Sequence, residues 1–181
     1  MAIFLSSDPH FFHDKPFIYE KRGYKDAFQM TYGIMSKYQT LIQPEDDFYL
    51  LGDILMGGMT QEKERFLQGL PGKVHIIFGN HDGTQKQEFY KSLPQVVETA
   101  YALPLKVHKF RFMLSHYPMI TGNHDDKGPT HHTWCLCGHT HTPDKWSDYD
   151  KSCYHVDVDA HDGFPVNIET IIEDLRRHYN A

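Results

Sequence analysis

Short apolar segments that end in Asp, His or Asn are the feature that most constrains this sequence. Each segment is rich in aromatic or β-branched residues and is closed by a turn or polar residue, a pattern typical of buried strands. Five such strands are predicted, at residues 3–5, 48–51, 74–78, 110–114 and 133–137. Two further strands are expected at residues 96–103 and 153–158.

Helical periodicity lies between and after these strands. Apolar residues recur at spacings near 3.6 from Phe28 to Ile42, with Pro44 as a stop. Thr60 is a candidate N-cap for a second helix that ends near residue 69, and residues 168–179 predict a closing helix. Strands that alternate with helices, followed by a strand-rich part, predict an α/β fold with mixed sheets. No repeat or linker divides the chain, so we expect one domain over residues 1–181.

Composition excludes several classes of protein. The net charge of −6 argues against an extended nucleic-acid surface, which needs clustered Lys and Arg. No apolar run approaches the roughly 18 residues of a membrane span, and the N-terminus lacks the pattern of a signal peptide. Three cysteines favour a reducing cytoplasm over a disulfide framework. The 14 histidines direct attention to metal binding, whereas oligomeric state is not predicted.

The polar residues that follow the strands are candidate ligands. In α/β sheets, ligands bind in the crevice outside the carboxyl ends of the strands, where separate chain segments meet. We therefore expect these side chains to gather at one sheet edge. They are Asp8, His10, Asp53, Asn80, His81, His116, His139 and His141.

The chemistry of this set favours transition metals. Mixed nitrogen and oxygen ligands suit Mn, Fe, Zn, Co or Ni, whereas Mg and Ca prefer oxygen shells. Without His81 the set still has seven members, too many for one catalytic ion that must also hold water. They suffice for two ions if one carboxylate bridges. Two ions roughly 3.5–4 Å apart can clamp a phosphate and activate a water molecule.

The motifs resemble those of a known family. Asp8-x-His10, Gly52-Asp53, Gly79-Asn80-His81-Asp82, His116 and Gly138-His139-x-His141 are similar, in order, to the five motifs of the calcineurin-like metallophosphoesterases. The resemblance spans residues 8–141 and is strongest to small bacterial and phage phosphodiesterases. It implies a four-layer α/β/β/α sandwich with two mixed β-sheets.

The resemblance also implies a role for each residue. Asp8, His10 and His141 would hold the first metal, and Asp53 would bridge both metals. The second metal would be held by Asn80, His116 and His139. His81 would be the catalytic acid or a donor to the phosphate, and Asn80 would also contact substrate. We expect two divalent transition-metal ions, with Mn favoured and Fe, Zn, Ni and Co as alternatives.

The expected activity is hydrolysis of a small phosphodiester or nucleotide, by attack of a metal-bridging hydroxide. Protein phosphatases of the superfamily carry Gly-Asp-x-Val-Asp-Arg-Gly around the bridging Asp. Here residues 52–58 read Gly-Asp-Ile-Leu-Met-Gly-Gly, so the Arg that clamps a dianionic phosphate is missing from that place. A phosphomonoesterase or protein phosphatase remains the alternative, and a non-catalytic binding scaffold is the rival from another class.

Five other features leave alternatives open. His13 is either a contact to substrate or a polar loop residue. Asp82 either orients a neighbouring group in the site or caps the following helix, and the cap is favoured. Cys135 and Cys137 are interpreted as a buried core pair, because a metal pair would need further thiol or imidazole partners, and Cys153 has no obvious partner. The alternating residues His155, Asp157, Asp159 and His161 are either a row of metal ligands or one strand with a polar face, and the strand is favoured. A substrate-recognition loop is favoured over a solvated surface loop at His124, Asp125, Asp126, His131 and His132.

Overall fold

The computed structural model describes residues 1–121, 128–148 and 150–179, which contain nine strands and five helices. The strands are β1 Ile3–Ser6, β2 Asp47–Leu50, β3 Lys73–Ile77, β4 Val96–Ala100, β5 Ala102–Val107, β6 Phe110–Ser115, β7 Thr133–Cys137, β8 Cys153–His155 and β9 Val166–Asn167. The helices are α1 Pro16–Tyr19, α2 Ala27–Leu41, α3 Gln61–Leu67, α4 Thr84–Ser92 and α5 Ile168–Tyr179.

The strands form two mixed sheets. The first has the order β4-β3-β2-β1-β9, with β1 to β4 parallel and β9 antiparallel to β1. The second has the order β5-β6-β7-β8, in which only β5 runs antiparallel to its neighbour. The predicted α/β fold with two mixed sheets is confirmed. The parallel strands direct their carboxyl ends to common edges, where the candidate ligands follow.

Two apolar cores lie on opposite faces of the first sheet. On one face, Phe48 and Val74 pack with Ile34 and Tyr38 of α2. On the other face, residues such as Leu5 pack against the second sheet and α5. The alternation of side chains along each strand separates the two cores, because successive residues point to opposite faces. The sheet edge that carries the candidate ligands is thus held by strands buried on both sides.

The helix boundaries follow from capping. Asp26 caps α2 by accepting a hydrogen bond from the Gln29 amide at 2.7 Å, and Thr60 caps α3 as predicted by accepting from Lys63. Helix α1 was not predicted, and α4 was expected only as the helix after Asp82, without bounds. Helix α4 buries only Tyr90, so the sequence there has little apolar periodicity.

Two predicted strands differ from the observed ones. Residues 96–103 do not form one strand, because the chain leaves the first sheet after β4 and enters the second sheet at β5. The predicted strand 153–158 ends at His155, and the chain then turns through residues 158–163. The interpretation of His155 to His161 as one polar strand face is therefore wrong.

No helix in the described ranges is long and apolar enough to cross a membrane. The location in the cytoplasm stays a prediction, as does the single domain over residues 1–181.

Candidate functional site

Loops from neighbouring strands are tied together at the edge of the sheets. The amides of Asp8 and His10 donate to the carbonyl oxygens of Gly52 and Asp53, both at 3.1 Å. In the second sheet, the Gly138 amide donates to the carbonyl oxygen of His116 at 3.1 Å. These bonds continue the pairing of β1 with β2 and of β6 with β7 beyond the strand ends. They bring the motif residues together although long segments separate them in sequence.

The backbone at the site is unusual. Eight non-glycine residues of the described chain have positive φ, and five of them are predicted metal ligands. Such angles cost roughly 1–2 kcal/mol per residue for side chains with a Cβ, and they persist where the surrounding structure imposes them, often at functional sites. The five are Asp8, His10, Asp53, His139 and His141.

The first group of ligand atoms surrounds Asp8. Asp8, His10 and His141 offer atoms that all lie within 4.8 Å of one another. Asp8 Oδ1 is 3.7 Å from His10 Nε2 and 3.6 Å from His141 Nε2. This is the trio predicted for the first metal.

The second group surrounds Asp53, whose carboxylate also reaches the first. Asp53, His116 and His139 form another set within 4.8 Å, and His116 Nε2 lies 3.0 Å from Asn80 Oδ1. Asp53 Oδ2 is 3.6 Å from His116 Nε2 and 3.5 Å from His10 Nε2 of the first group. One carboxylate oxygen therefore lies between the two groups.

The residues fit divalent metal ions in several respects. Asp8 Oδ1 and His10 Nε2 are buried and have no hydrogen-bond partner among the described residues, which is costly unless a cation occupies the space between them. His116 Nδ1 lies 2.9 Å from the Leu51 carbonyl oxygen and donates a hydrogen bond to it. The proton is therefore on Nδ1, and Nε2 has a lone pair for a metal ion. Histidine ligands of metals commonly have this arrangement.

The electrostatics also suit a cation. Burial opposes the ionisation of Asp53, but the contacts to His10 and the His81 amide outweigh it and lower its pKa to about 2. Burial likewise opposes ionisation of Asp8, whose pKa is nevertheless lowered by His10, His116 and His141. Burial, followed by the charge of His116, lowers the pKa of His139. Two carboxylates and a neutral imidazole are the forms that bind metal ions.

Gly138 shows how tightly the loops approach. A Cβ at this position would collide with Asp8 Oδ2 and with the Ser7 side chain. The neighbouring amide of His139 donates to the same Asp8 oxygen at 2.8 Å. A glycine at the first position of the Gly-His-x-His segment is therefore required for Asp8 to keep its position.

The predicted catalytic and substrate residues lie beside these groups. His81 Nε2 is 3.8 Å from Asp53 Oδ2, and its side chain is 46% exposed, so it can meet a ligand from solvent. His13 Nδ1 lies 3.1 Å from His10 Nδ1, and the two rings are stacked. Burial and the charge of His10 lower the pKa of His13 to about 4. Both residues adjoin the site as predicted, whereas their roles stay proposals.

Arg22 and Asp159 are site residues that the sequence interpretation missed. Asp159 Oδ2 lies 2.9 Å from His141 Nδ1 and 2.7 Å from Arg22 Nη2. Arg22 also donates to the carbonyl oxygens of Asp8 and Pro9 at 3.0 and 3.1 Å. The carboxylate orients His141 towards Asp8, and Arg22 holds both the carboxylate and the first loop. The Asp-rich segment was visible in the sequence, but its interpretation as a strand hid this contact.

Asp82 has a different role from the predicted one. The N-cap of α4 is Gly83, and no side chain caps that helix. The buried Asp82 instead accepts hydrogen bonds from the amides of Asp53 at 2.8 Å and Gly79 at 2.9 Å. The helix-cap interpretation is wrong, because the carboxylate turns inward and joins the two loops that carry Asp53 and Asn80.

The remaining expectations have mixed outcomes. Cys135 and Cys137 are buried as predicted, but Cys153 lies with them, so the expectation that it has no partner is wrong. His124, Asp125 and Asp126 of the predicted recognition loop lie outside the described residues. His131 and His132 belong to the described residues that follow. The ring centroids of His132 and Trp134 are 5.5 Å apart, and the two rings are stacked.

Comparison with known proteins decides the family. Residues 1–158 match the model of the calcineurin-like phosphoesterase superfamily domain. The chain belongs to the calcineurin-like phosphoesterase superfamily. This superfamily is metal-dependent, and its membership supports a hydrolase of phosphate esters. The family predicted from the sequence motifs is confirmed.

Individual proteins are also similar to this chain. An uncharacterized protein of Methanocaldococcus jannaschii, MJ1445, is 28% identical over 142 residues, which cover 77% of this chain and 69% of the relative. The crystal structure of AQ665 from Aquifex aeolicus, a protein of unknown function, aligns with a TM-score of 0.69 and 22% identity, covering 95% of this chain and 98% of that one. This structure supports the fold alone. The phosphoesterase Yfce from E. coli aligns with a TM-score of 0.45 and 18% identity over 87% and 78% of the two chains, a likeness too weak to argue from.

Proposed function

We propose that this phosphoesterase hydrolyses small phosphodiesters, including nucleotides, with two divalent transition-metal ions held by Asp8, His10, Asp53, Asn80, His116, His139 and His141. The position of Asp53 Oδ2 carries the proposal. It lies 3.5 Å from His10 Nε2 and 3.6 Å from His116 Nε2, so one oxygen is available to both ligand groups. A shared carboxylate is what two neighbouring ions require. Manganese is the favoured metal.

The two ions, when bound, supply a deprotonated water as the nucleophile and compensate the charge of the phosphate. The protein's own residues orient the metal ligands and protonate the leaving group. Asp159 and the Leu51 carbonyl oxygen fix the orientations of His141 and His116. His81 donates a proton to the leaving oxygen, because its imidazole is half-exposed beside Asp53 and can direct an N–H towards a bound ester.

The charges around the site favour a diester over a monoester. Arg22 is engaged by Asp159 and by two backbone carbonyl oxygens, so its guanidinium is occupied inside the protein. Lys21 and Lys86 donate to the carbonyl oxygens of His141 and His81 and contribute single charges at the rim. A phosphodiester carries one negative charge and needs less compensation than a dianionic monoester.

Hydrolysis of bis-p-nitrophenyl phosphate and of p-nitrophenyl phosphate tests the proposal. Protein stripped by a chelator is assayed before and after addition of Mn²⁺, and then with Fe²⁺, Zn²⁺, Ni²⁺ or Co²⁺. We expect metal-dependent cleavage that is faster for the diester. Faster cleavage of the monoester would establish the phosphomonoesterase instead. Absence of turnover with two metals bound would contradict catalysis and favour a binding scaffold.

Two variants separate metal binding from proton donation. Asp53→Asn is expected to lose metal and activity together, because the shared oxygen is changed. His81→Ala is expected to bind both ions and to lose most turnover, with the largest loss for diesters with poor leaving groups. His108→Ala, at a side chain that is 62% exposed and pairs with Glu169, is the matched control. Full activity of His81→Ala on a poor leaving group would refute the acid role.

A further inference from the structure

Three cysteine thiols form a cluster of potential metal ligands that is separate from the Asp and His groups. Cys135 and Cys137 lie on β7, and Cys153 lies on β8. Their sulfur atoms all lie within 4.8 Å of one another, and none of the three residues is more than 1% exposed. No disulfide joins them. Three sulfurs so close together are a soft ligand set, unlike the nitrogen and oxygen ligands of the phosphoesterase site.

The sheet register explains why the thiols converge. Cys135 pairs with Cys153 in the parallel ladder of β7 and β8, and Cys137 pairs with His155. Residues two apart on a strand point to the same face, so these four side chains leave the sheet together. Leu136, between the two cysteines of β7, points to the opposite face and packs in the second apolar core. Rigid paired strands therefore hold the cluster in place.

Polar groups around the cluster suit metal-bound sulfur. The Met119 amide donates to Cys135 Sγ at 3.4 Å. The Cys153 thiol donates to the Met119 carbonyl oxygen at 3.5 Å, a bond that Cys153 would lose together with its proton on binding a metal ion. The Ser115 hydroxyl lies 3.8 Å from Cys135 Sγ. Donors that point at sulfur stabilise the thiolate, which is the form that binds metal ions.

His155 offers a nitrogen on the same face. It is 3% exposed, and its Nδ1 lies 3.0 Å from the Asp144 carbonyl oxygen, which accepts the Nδ1 proton. Its Nε2 is buried without a hydrogen-bond partner in the described part of the chain. A buried imidazole in this state presents Nε2 as a lone pair, as metal-binding histidines do. His155 is not part of the 4.8 Å grouping of the three sulfurs, so ligation requires its side chain to rotate towards them.

We propose that Cys135, Cys137 and Cys153 bind one thiophilic metal ion, with zinc as the occupant and His155 Nε2 as the fourth ligand. A Zn–S bond of about 2.3 Å places the sulfurs of a tetrahedral site roughly 3.8 Å apart, which agrees with the observed grouping. Three cysteines and one histidine are a common ligand set of closed zinc sites. The competing explanation is that the thiols are neutral core side chains, which free cysteines often are.

Titration with Cd²⁺ tests the site without any need for activity. Reduced, metal-stripped protein is titrated, and the ultraviolet sulfur-to-cadmium charge-transfer band is recorded. We expect one equivalent to give the band and Zn²⁺ to displace it. Cys135→Ser and Cys153→Ser should lose most of it, and His155→Ala should weaken Cd²⁺ binding at least tenfold. Asp53→Asn is the control and should keep the band, because the phosphoesterase site contains no sulfur.

Several results would overturn the proposal. Absence of the band in the wild-type protein would assign the thiols to the core, as would a band that survives the loss of either cysteine. Unchanged Cd²⁺ affinity in His155→Ala would remove His155 from the site. Since the serine variants can fail to fold, alkylation of the wild-type thiols is measured as well. Zinc should slow alkylation of all three, and equal rates with and without zinc would refute the site.

Discussion

Asp82 offers the sharpest test of how the two central loops are held together. Its Oδ2 accepts from the amides of Asp53 and Gly79, and its Oδ1 accepts from the Tyr90 hydroxyl at 3.1 Å and the Ile54 amide at 3.3 Å. All four donors are directed at one buried carboxylate. We therefore expect Asp82→Asn to destabilise the fold and to loosen the metal site together.

The magnitude follows from counting these hydrogen bonds. An asparagine keeps one acceptor oxygen, which can serve Asp53 and Gly79 as a neutral partner. Its NH₂ group then faces both the Tyr90 hydroxyl and the Ile54 amide. The hydroxyl can turn to accept from the NH₂ group, whereas the buried Ile54 amide loses its acceptor at about 1–3 kcal/mol. The bonds from the Asp53 and Gly79 amides then go to a neutral oxygen instead of a carboxylate, which adds about 1 kcal/mol. The variant should therefore lose roughly 2–4 kcal/mol of unfolding free energy.

Urea unfolding of metal-free protein measures this loss, and Mn²⁺ competition with a chelating dye measures the site. Mn²⁺ affinity should fall about tenfold, the lower end of what loss of a supporting partner costs a metal site. Tyr90→Phe is the control, because it removes one donor, should cost only about 1 kcal/mol and should bind Mn²⁺ normally. If Asp82→Asn unfolded within about 0.5 kcal/mol of the wild type and bound Mn²⁺ equally well, the inferred link between the loops would be wrong.

Three further predictions concern the surroundings of the site. Asp159→Asn should lower metal affinity about 10–100-fold by releasing His141, whereas Asp162→Asn on the same turn should not; isothermal titration compares them, and equal affinities would refute the orienting role. Gly138→Ala should prevent metal binding because its Cβ meets Asp8, while Gly83→Ala, with open space around its Cβ, should bind normally; metal content by mass spectrometry decides. The lowered pKa of His13, about 4 against 6.5, means that below pH 6.5 the unfolded chain binds a proton that the folded chain does not. Metal-free protein should thus lose stability as pH falls from 6.5 to 4, and His13→Gln should flatten this slope in urea unfolding; an unchanged slope would contradict the shift.

The sequence predicted most of the site because local rules apply to each of its parts. A short apolar run followed by Gly-Asp or Gly-Asn-His predicts a strand and a polar loop without knowledge of the rest of the chain. The rule that ligands gather beyond the carboxyl ends of strands then brings distant residues together. The five strands predicted to precede polar loops were located within one or two residues, and the ligand atoms form two groups that share Asp53.

The sequence could not predict contacts that depend on how the chain folds back. Asp159 appeared to continue a strand because its period-two pattern looks the same in a strand and in a turn. Asp82 precedes α4 as a cap would, and only the position of the Asp53 loop turns its carboxylate inward.

The order of residues thus determined which side chains could bind metals and which segments could form strands, because both depend on residue type and near neighbours. Tertiary structure alone decided that Arg22 supports Asp159 behind His141, and that Cys153 joins Cys135 across two paired strands. The physical reason is that hydrogen bonds and metal ligation act over a few ångströms in space. The distance between their partners along the chain leaves no periodic signal in the sequence.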